Sequence, residues 1–359
     1  MSPSYHPIPN EFRDVGGARQ PLMIVRGLKK HFPLKKTGLG LRRERLAVRA
    51  VDGVSFDILK GETLGVVGES GCGKSTTARL LMQLTKQDSG ELIFDGQSLG
   101  SQGLSLREYR RQTQMVFQDS YSSLNPRMTI EDSIAFGPTV HGVSGREALE
   151  RAHDLLERVG LEPARFAGRY PHELSGGQRQ RVNIARALAL EPRLIILDES
   201  VSALDKSVEA QVLNLLQDLK QAFGLTYLFI SHDLNVVHYL CDRVLVMYLG
   251  EVVEVGPADA LFETPLHPYT EALLRSMPTT DPLQRTEEAP LTGDPPNPIN
   301  PPSGCRFHTR CQDAQAVCAS VAPTYHEAAP GRRVACLKYE PDSGYEAPQI
   351  PLREEVTHA

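Results

Sequence analysis

The stretch GESGCGKS, from Gly68 to Ser75, constrains the fold of this chain more than any other, because it fits the pattern G-x-x-x-x-G-K-[ST]. It follows the apolar run TLGVV and precedes a helix predicted from about Lys74 to Leu84. Glycines let backbone N–H groups converge on a phosphate, and the start of the helix directs its positive end at the same anion. The sequence therefore predicts a nucleotide-binding loop, with these candidate contacts: Gly68, Glu69, Ser70, Gly71, Cys72, Gly73, Lys74, Ser75 and Thr76.

A second motif, LIILDE, is an apolar strand that ends in two acids, where ligands bind in parallel sheets. Asp198 is expected to hold Mg²⁺ through water, together with Ser75 and Gln118. Glu199 is expected to orient and polarise the attacking water. Gln118 and His232 each follow a predicted strand, so both are candidates for contact with the γ-phosphate or that water. These residues predict hydrolysis of a nucleoside triphosphate.

The remaining pattern indicates an α/β fold. Strand-like runs alternate with helical runs from Leu22 onward, which favours a parallel sheet covered on both faces. The helical stretch of about 120–190 reads as an insertion. Its clearest helix is SGREALERAHDLLERVG, with this apolar stripe: Leu149, Ala152, Leu155, Leu156 and Val159.

Composition limits the possible partners. The 359 residues carry a net charge of −5, which argues against a protein that wraps nucleic acid. The longest apolar run, VLVMYL, is far shorter than the about 20 residues that a membrane-spanning helix needs. The first residues, MSPSYHPIPNEF, lack the apolar core of a signal peptide. We therefore expect a chain made in the cytoplasm that reaches a membrane through partners.

Eight prolines lie between Met277 and Gly304 and indicate a linker. They lead to a tail with four cysteines. The predicted division is a mobile leader 1–20, a nucleotide-binding domain 21–264 with a helical subdomain at about 120–190, a helix and proline-rich linker 265–304, a four-cysteine region 305–340 and a mobile tail 341–359.

Taken in order, the motifs resemble those of the ATP-binding subunits of ABC transporters, over roughly residues 22–260. They are GESGCGKST, Gln118 in VFQDSYSSLNP, LSGGQ, LIILDE, SALD, and His232 in ISHD. The resemblance implies a parallel sheet with an antiparallel β subdomain and an inserted helical subdomain. It also implies that Phe32 stacks on the adenine of ATP, with His31 as the alternative.

The resemblance also explains why the chain has a second glycine loop, LSGGQ. In this family two ATP-binding domains face each other, and LSGGQ of one closes over the ATP held by the other. ATP then joins the two chains, and hydrolysis releases them. The residues expected to contact the partner's ATP are Ser175, Gly176, Gly177, Gln178 and Asp205.

Further stretches resemble the second ATPase subunit of dipeptide and oligopeptide importers: HPYTEALL, NPPSGCRFHTRCQDAQAVC, YSSLNP and YPHELSGGQRQRV. The resemblance implies peripheral attachment to the cytoplasmic face of the cell membrane. It implies as partners a different second ATPase subunit, two permease subunits and, indirectly, an extracytoplasmic solute-binding protein. Coupling to the permeases is expected through about Asp119 to Ile134. The cargo cannot be read from this chain.

Four cysteines, Cys305, Cys311, Cys318 and Cys336, predict a metal site, because disulfides are rare in cytosolic proteins. Their gaps of five, six and seventeen residues are wider than the paired spacing of zinc sites and favour an iron–sulfur centre. The resemblance implies a [4Fe–4S] cluster, and zinc is the alternative. Two histidines are alternative ligands, namely His308 and His326.

Three further points stay open in the sequence. Cys72 lies at a helix start, where a thiol pKa is lowered and modification could block ATP binding, but a small packing residue is the favoured interpretation. Ser200 stands where this family often has proline, which leaves open whether the site is fully active. Two other functions are alternatives. One is a DNA-repair ATPase of the ABC type, and the other is a cytosolic P-loop kinase, in which LSGGQ would have no function.

Overall fold

The computed structural model describes residues 20–34, 46–101, 104–277 and 293–346. The predicted leader (1–20), except its last residue, and the last residues of the predicted tail, 347–359, lie outside these ranges. So does the proline-rich segment 278–292. The division into domains is therefore followed below only through the described residues.

The described residues form twelve strands and ten α-helices. The strands are β1 (Pro21–Pro33), β2 (Ala47–Leu59), β3 (Thr63–Val67), β4 (Ser89–Phe94), β5 (Gln97–Ser98), β6 (Thr113–Val116), β7 (Leu194–Asp198), β8 (Thr226–Ile230), β9 (Arg243–Tyr248), β10 (Glu251–Pro257), β11 (His326–Ala329) and β12 (Arg332–Val334). The helices are α1 (Lys74–Leu81), α2 (Leu106–Gln112), α3 (Ile130–Val140), α4 (Gly145–Arg158), α5 (Pro163–Phe166), α6 (Gly176–Leu188), α7 (Lys206–Phe223), α8 (Leu234–Leu240), α9 (Ala258–Glu263) and α10 (Pro268–Arg275).

The main sheet has the strand order β11-β12-β10-β9-β3-β8-β7-β6. Five neighbouring strands, from β9 to β6, run parallel, whereas β10, β12 and β11 add antiparallel pairs at one edge. β3, β7 and β8 are buried along their whole length, as expected for parallel strands covered on both faces. The sheet is thus mixed rather than wholly parallel.

The two faces of the main sheet are covered by different structures. Side chains alternate along a strand, so Ile195 and Leu197 of β7 pack into the core formed with the helices, while Leu194 and Ile196 point the other way. That second face packs against α1 and a separate antiparallel sheet of order β2-β1-β4-β5. Both faces are thus covered, as expected, and the antiparallel sheet corresponds to the β subdomain that the resemblance implies.

The helices α3, α4 and α6 pack together beside the main sheet. Ser144 caps α4 by accepting a hydrogen bond from the Glu147 N–H. The predicted apolar stripe of α4 is wrong at one position, because Leu149 is exposed and Ala148 is buried instead. Ala148 lies four residues before Ala152, within the apolar face, whereas Leu149 lies at the edge of that face and remains exposed.

The chain after the linker rejoins the main sheet. β12 pairs with β10 through Glu254 and Val334, and β11 pairs with β12. The C-terminal extension is therefore continuous with the core rather than a tethered module. Within the described ranges, no helix combines the length and apolar character needed to cross a membrane.

Candidate functional site

The first glycine loop connects β3 to α1 and is held tightly by its own chain. A Cβ added at Gly68 would lie 2.2 Å from the Met247 carbonyl oxygen, and one at Gly73 would lie 2.3 Å from that of Ala50. Both residues also have positive φ angles, of 145° and 111°. These two positions therefore require glycine, while the tip of the loop, Ser70 and Gly71, is exposed.

Lys74 is buried at the start of α1 and points into this loop. Its Nζ donates to the carbonyl oxygens of Gly68, at 2.7 Å, and Glu69, at 3.1 Å. The ammonium group is thus held inside the loop that would surround a phosphate, with backbone carbonyls as its present acceptors. Thr76 follows in α1 and is half-buried.

The predicted magnesium ligands meet at the end of β7. Ser75 Oγ donates to Asp198 Oδ1 at 2.9 Å, across 123 residues of sequence. Burial raises the pKa of Asp198, and the hydrogen bond from Ser75 acts in the opposite direction. A hydroxyl beside a buried carboxylate is a donor set that suits a hard cation such as Mg²⁺.

The predicted catalytic residues also converge. Gln118 Nε2 donates to Glu199 Oε2 at 2.8 Å, and His232 Nδ1 lies 3.7 Å from the same oxygen. The three side chains follow β6, β7 and β8, which are adjacent and parallel, so their carboxyl ends share one edge. Glu199 has a φ of 47°, and its N–H donates to the Ile230 carbonyl at 2.9 Å. Its carboxylate is thereby held at the edge of the sheet.

The two candidate aromatic residues of β1 differ in their surroundings. Phe32 is 39% exposed, with the Lys30 ammonium 5.6 Å from its ring centre. His31 Nε2 instead lies 3.0 Å from Asp52 Oδ1. Phe32 is thus slightly the more exposed of the two residues, and His31 is engaged with a carboxylate.

Cys72 is buried in the glycine loop, 3.9 Å from Lys74 Nζ. Burial raises the pKa of its thiol, and the smaller effect of Lys74 lowers it. The structure therefore contradicts the hypothesis that the helix start lowers the pKa of Cys72, because desolvation outweighs the nearby positive charge.

The second glycine loop begins α6 at a different place. Ser175 Oγ accepts from the Gln178 N–H at 3.3 Å, and Gln178 Oε1 accepts from the Ser175 N–H at 2.9 Å. This capping box leaves Ser175 exposed. A Cβ on Gly177 would meet Val208 of α7 at 2.4 Å, so α6 and α7 approach closely here. Asp205, at the start of α7, is also exposed.

The four cysteines of the extension line one cavity, together with His267, Phe307 and His308. The cysteines are therefore brought together, whereas His326 lies in β11 with its ring nitrogens near the carbonyl oxygens of Thr324 and Tyr339. Burial raises the pKa of Cys305 to about 11 and that of Cys311 to about 12. These thiols stay protonated at neutral pH unless a cation binds between them.

The spacing of these donors does not form a site for one ion. Across the described ranges, no three His, Cys, Asp or Glu side chains are close enough together to hold a metal ion. The predicted metal-binding extension is thus not supported, either as an iron–sulfur centre or as a zinc site. The four thiols share a cavity, but their arrangement by itself does not identify a bound metal or cluster.

Sequence reasoning missed two residues that contact the glycine loop from the C-terminal region. Arg310 forms an ion pair with Glu69, and Tyr269 Oη accepts a hydrogen bond from the Glu69 N–H. The only sequence signal for these contacts was that Tyr269 lies in HPYTEALL and that Arg310 lies between Cys305 and Cys311.

Comparison with known proteins gives the class first. The family model "ABC transporter" matches residues 51–202, and "Oligopeptide/dipeptide transporter, C-terminal region" matches residues 253–318. A solved structure of cbiO1 from Clostridium perfringens, part of the ABC transporter complex cbiONQ, is 27% identical with a TM-score of 0.58, over 68% of this chain and 91% of that one. The ATP-binding cassette MJ0796, solved as a post-hydrolysis dimer with ADP and Pi, is 30% identical with a TM-score of 0.55, over 66% and 98% of the two chains. The fold and the site thus define an ABC-type ATPase.

The curated relatives narrow this class. The oligopeptide transport ATP-binding protein AppF of Bacillus subtilis is 50% identical over 89% of this chain and 98% of its own length. The probable peptide ABC transporter ATP-binding protein y4tS of Sinorhizobium fredii is 52% identical over 88% and 89%. The chain belongs to the ABC transporter ATP-binding proteins that carry the oligopeptide/dipeptide C-terminal region. The predicted resemblance is confirmed.

Proposed function

We propose that the chain hydrolyses ATP to energise the import of dipeptides or oligopeptides through a membrane transporter. The relatives of about 50% identity are named for peptide transport, and they match this chain over most of its length. They do not favour the alternative of a DNA-repair ATPase. The observation that carries the proposal is the meeting of Gln118, Glu199 and His232 beside the Ser75–Asp198 pair.

Each group has a defined part in this reaction. Phe32 stacks on adenine, the N–H groups of the glycine loop bind the phosphates, and Lys74 binds the β- and γ-phosphates. Ser75, Gln118 and Asp198 would hold Mg²⁺, which neutralises charge on the phosphates when bound. Glu199 orients the attacking water, and His232 contacts the γ-phosphate or that water.

The ATP site is completed by a second ATPase chain. The loop of Ser175, Gly176 and Gly177, in which Ser175 is exposed and the glycines are half-buried, would close with Gln178 and Asp205 over ATP bound by that partner. The solved relative MJ0796 is described as dimeric, which supports pairing in this family. We propose a different sister subunit as the partner, together with two permease subunits and an extracytoplasmic solute-binding protein.

The segment Asp119–Ile134 is suited to couple this site to the permeases. Asn183 Nδ2 of α6 donates to the Ser120 carbonyl at 3.0 Å, and Arg186 donates to the Ser123 carbonyl. Gln118, which is proposed to contact the ATP of this chain, directly precedes the segment. Helix α6, which begins in the loop proposed to contact the partner's ATP, holds the segment by these hydrogen bonds, so both ATP sites can act on it. Its neighbour Phe136 is 60% exposed and offers an apolar contact for a permease at the cytoplasmic face of the membrane.

For the extension, we propose that Cys305, Cys311, Cys318 and Cys336 bind a [4Fe–4S] cluster that ties the segment together. The proposed limits of this region are 305–340, after the nucleotide-binding domain 21–264 and the linker region 265–304. A short segment without a large core gains stability from such a centre.

Metal analysis of anaerobically purified protein tests the cluster. We expect about four irons and four sulfides per chain, lost in Cys311→Ser and kept in Cys241→Ala, whose buried thiol lies outside the cavity. Zinc without iron would favour a zinc site instead of the cluster. The absence of both metals would rule out a metal site at these cysteines.

Trapping the paired state tests the ATPase assignment. In Glu199→Gln, Mg·ATP should bind without hydrolysis and hold this chain to its sister, which size-exclusion chromatography with light scattering would detect. Glu157→Gln, on the exposed face of α4, is the control and should retain turnover. Failure of the hydrolysis-dead chain to pair, in solution and in the membrane assembly, would refute the two-chain site.

A further inference from the structure

The strongest contact between the C-terminal region and the ATP site is one bidentate ion pair. Arg310 Nη1 lies 2.7 Å from Glu69 Oε2, and Nη2 lies 3.0 Å from Oε1. The Arg310 side chain is only 5% exposed, and Glu69 belongs to the glycine loop itself. A paired, largely desolvated guanidinium fixes both the position and the orientation of its carboxylate.

A second contact holds the backbone of the same residue. Tyr269 Oη accepts a hydrogen bond of 2.8 Å from the Glu69 N–H. Tyr269 is fully buried, with its ring centre 4.6 Å from that of Tyr248 and 5.3 Å from that of Phe307. The hydroxyl is therefore placed by a packed aromatic cluster rather than by a flexible side chain.

These contacts converge in the five residues between Cys305 and Cys311. Arg306 pairs with Asp52 of β2 and Glu251 of β10, Phe307 packs in the aromatic cluster, and Arg310 pairs with Glu69. The loop that joins two cavity-lining cysteines is thus the loop that docks on the ATP site.

We propose that Arg310 and Tyr269 are positioning residues for the phosphate-binding loop, so that the C-terminal extension forms part of the ATP site. They hold the side chain and the backbone of Glu69, and thereby preorganise the neighbouring N–H groups for the phosphates. Preorganisation removes an ordering cost from ligand binding, so its loss weakens ATP affinity. The proposal rests on the ATP site proposed above.

The alternative role is anchorage alone, in which the ion pair attaches the extension without affecting the loop. The two roles differ in what a substitution changes. Anchorage predicts a loss of stability with unchanged ATP affinity, whereas positioning predicts a weaker affinity that depends on both members of the pair.

A double-mutant cycle on the full-length chain separates these roles. We expect Arg310→Gln and Glu69→Gln each to weaken equilibrium binding of a non-hydrolysable ATP analogue by about five- to tenfold. The double variant should be no weaker than the weaker single variant, because both changes break the same contact. Arg310→Lys should recover only part of the loss, since an ammonium cannot make the bidentate contact.

Arg332→Gln is the matched control for this cycle. It removes another buried pair between the extension and the main sheet, Arg332 with Glu254 at 3.0 Å, without touching the glycine loop. It should lower stability yet leave ATP affinity within about twofold of the wild-type value. Equal loss of ATP affinity in Arg332→Gln and Arg310→Gln would overturn the positioning role.

Tyr269→Phe provides a test that disturbs folding least, because only the hydroxyl is removed. We expect about threefold weaker binding of the same analogue. Tyr227→Phe is its control, because that hydroxyl donates to the Leu216 carbonyl elsewhere in the core. Unchanged affinity in both Arg310→Gln and Tyr269→Phe, with normal binding by the wild type, would overturn the inference alone. A wild-type chain that fails to bind ATP would instead refute the proposed function.

Discussion

The two glycine loops of this chain differ in what surrounds them. The first is enclosed by its own chain, with backbone oxygens 2.2–2.3 Å from where Cβ atoms would stand at Gly68 and Gly73. In the second, Ser175 is exposed, and a Cβ at Gly176 would make only an ordinary contact with Leu204, at 3.7 Å.

The difference separates two reasons for using glycine. In the first loop the chain itself leaves no room for a side chain. At Gly176 this chain leaves room for a side chain. A requirement for a small residue at that position would therefore come from a contact with another molecule. Gly177 is an intermediate case, because its close approach to Val208 already explains its size. This difference is what we expect if the first loop binds ATP within this chain and the second faces the ATP of a partner chain, as proposed above.

The largest effect is expected in the enclosed loop. Lys74→Ala removes a charged contact to the phosphates, which costs about 3 kcal/mol, or about a hundredfold in ATP affinity. Equilibrium binding to the isolated chain measures it. The control is Lys86→Ala, an exposed lysine five residues beyond the end of α1, which should bind ATP normally. Normal ATP binding by Lys74→Ala would remove this loop from the site.

A smaller effect, visible only in the assembly, is expected in the exposed loop. Gly176→Asp should spare folding and ATP binding by the isolated chain, because an acid in the first turn of a helix is favourable. In the assembled pair it places a negative charge against the partner's phosphates, and ATPase activity should fall by about tenfold or more.

Gly145→Asp is the matched control for that substitution. Gly145 is also the first residue of a helix after a capping serine, and open space surrounds its Cβ position. It should leave activity unchanged. Equal activities of the Gly176→Asp and Gly145→Asp assemblies would contradict the idea that the second loop faces a nucleotide.

The smallest effect concerns the aromatic side of the enclosed site. Phe32→Ala should weaken ATP binding by about 1 kcal/mol, or about fivefold, through loss of stacking. His31→Ala should weaken it less, because that ring is engaged with Asp52. The reverse order, measured in the same binding assay, would identify His31 as the stacking residue.

Much of the ATP site could be predicted from sequence because its motifs are local. A strand, a glycine loop and a helix lie within 20 residues, so Lys74 and Ser75 could be assigned from spacing alone. The meeting of the residues that follow β6, β7 and β8 could also be predicted, because parallel strands bring their carboxyl ends to one edge of the sheet. Leu149 was read incorrectly, since it lies at the edge of the apolar face of α4 and periodicity does not specify whether an edge residue is covered.

The sequence by itself indicated the class of this protein, through the resemblance of its ordered motifs to those of ABC transporter ATP-binding subunits. It also located the phosphate-binding loop and the acids at the end of β7, because a strand, a glycine loop and a helix form a local unit. Only the tertiary structure decided that the four cysteines share a cavity and that Arg310 reaches Glu69, 241 residues away. Such pairings depend on how the chain from residue 293 onward packs against the core and pairs with β10. No local pattern encodes that packing, since the burial of distant apolar surfaces selects it.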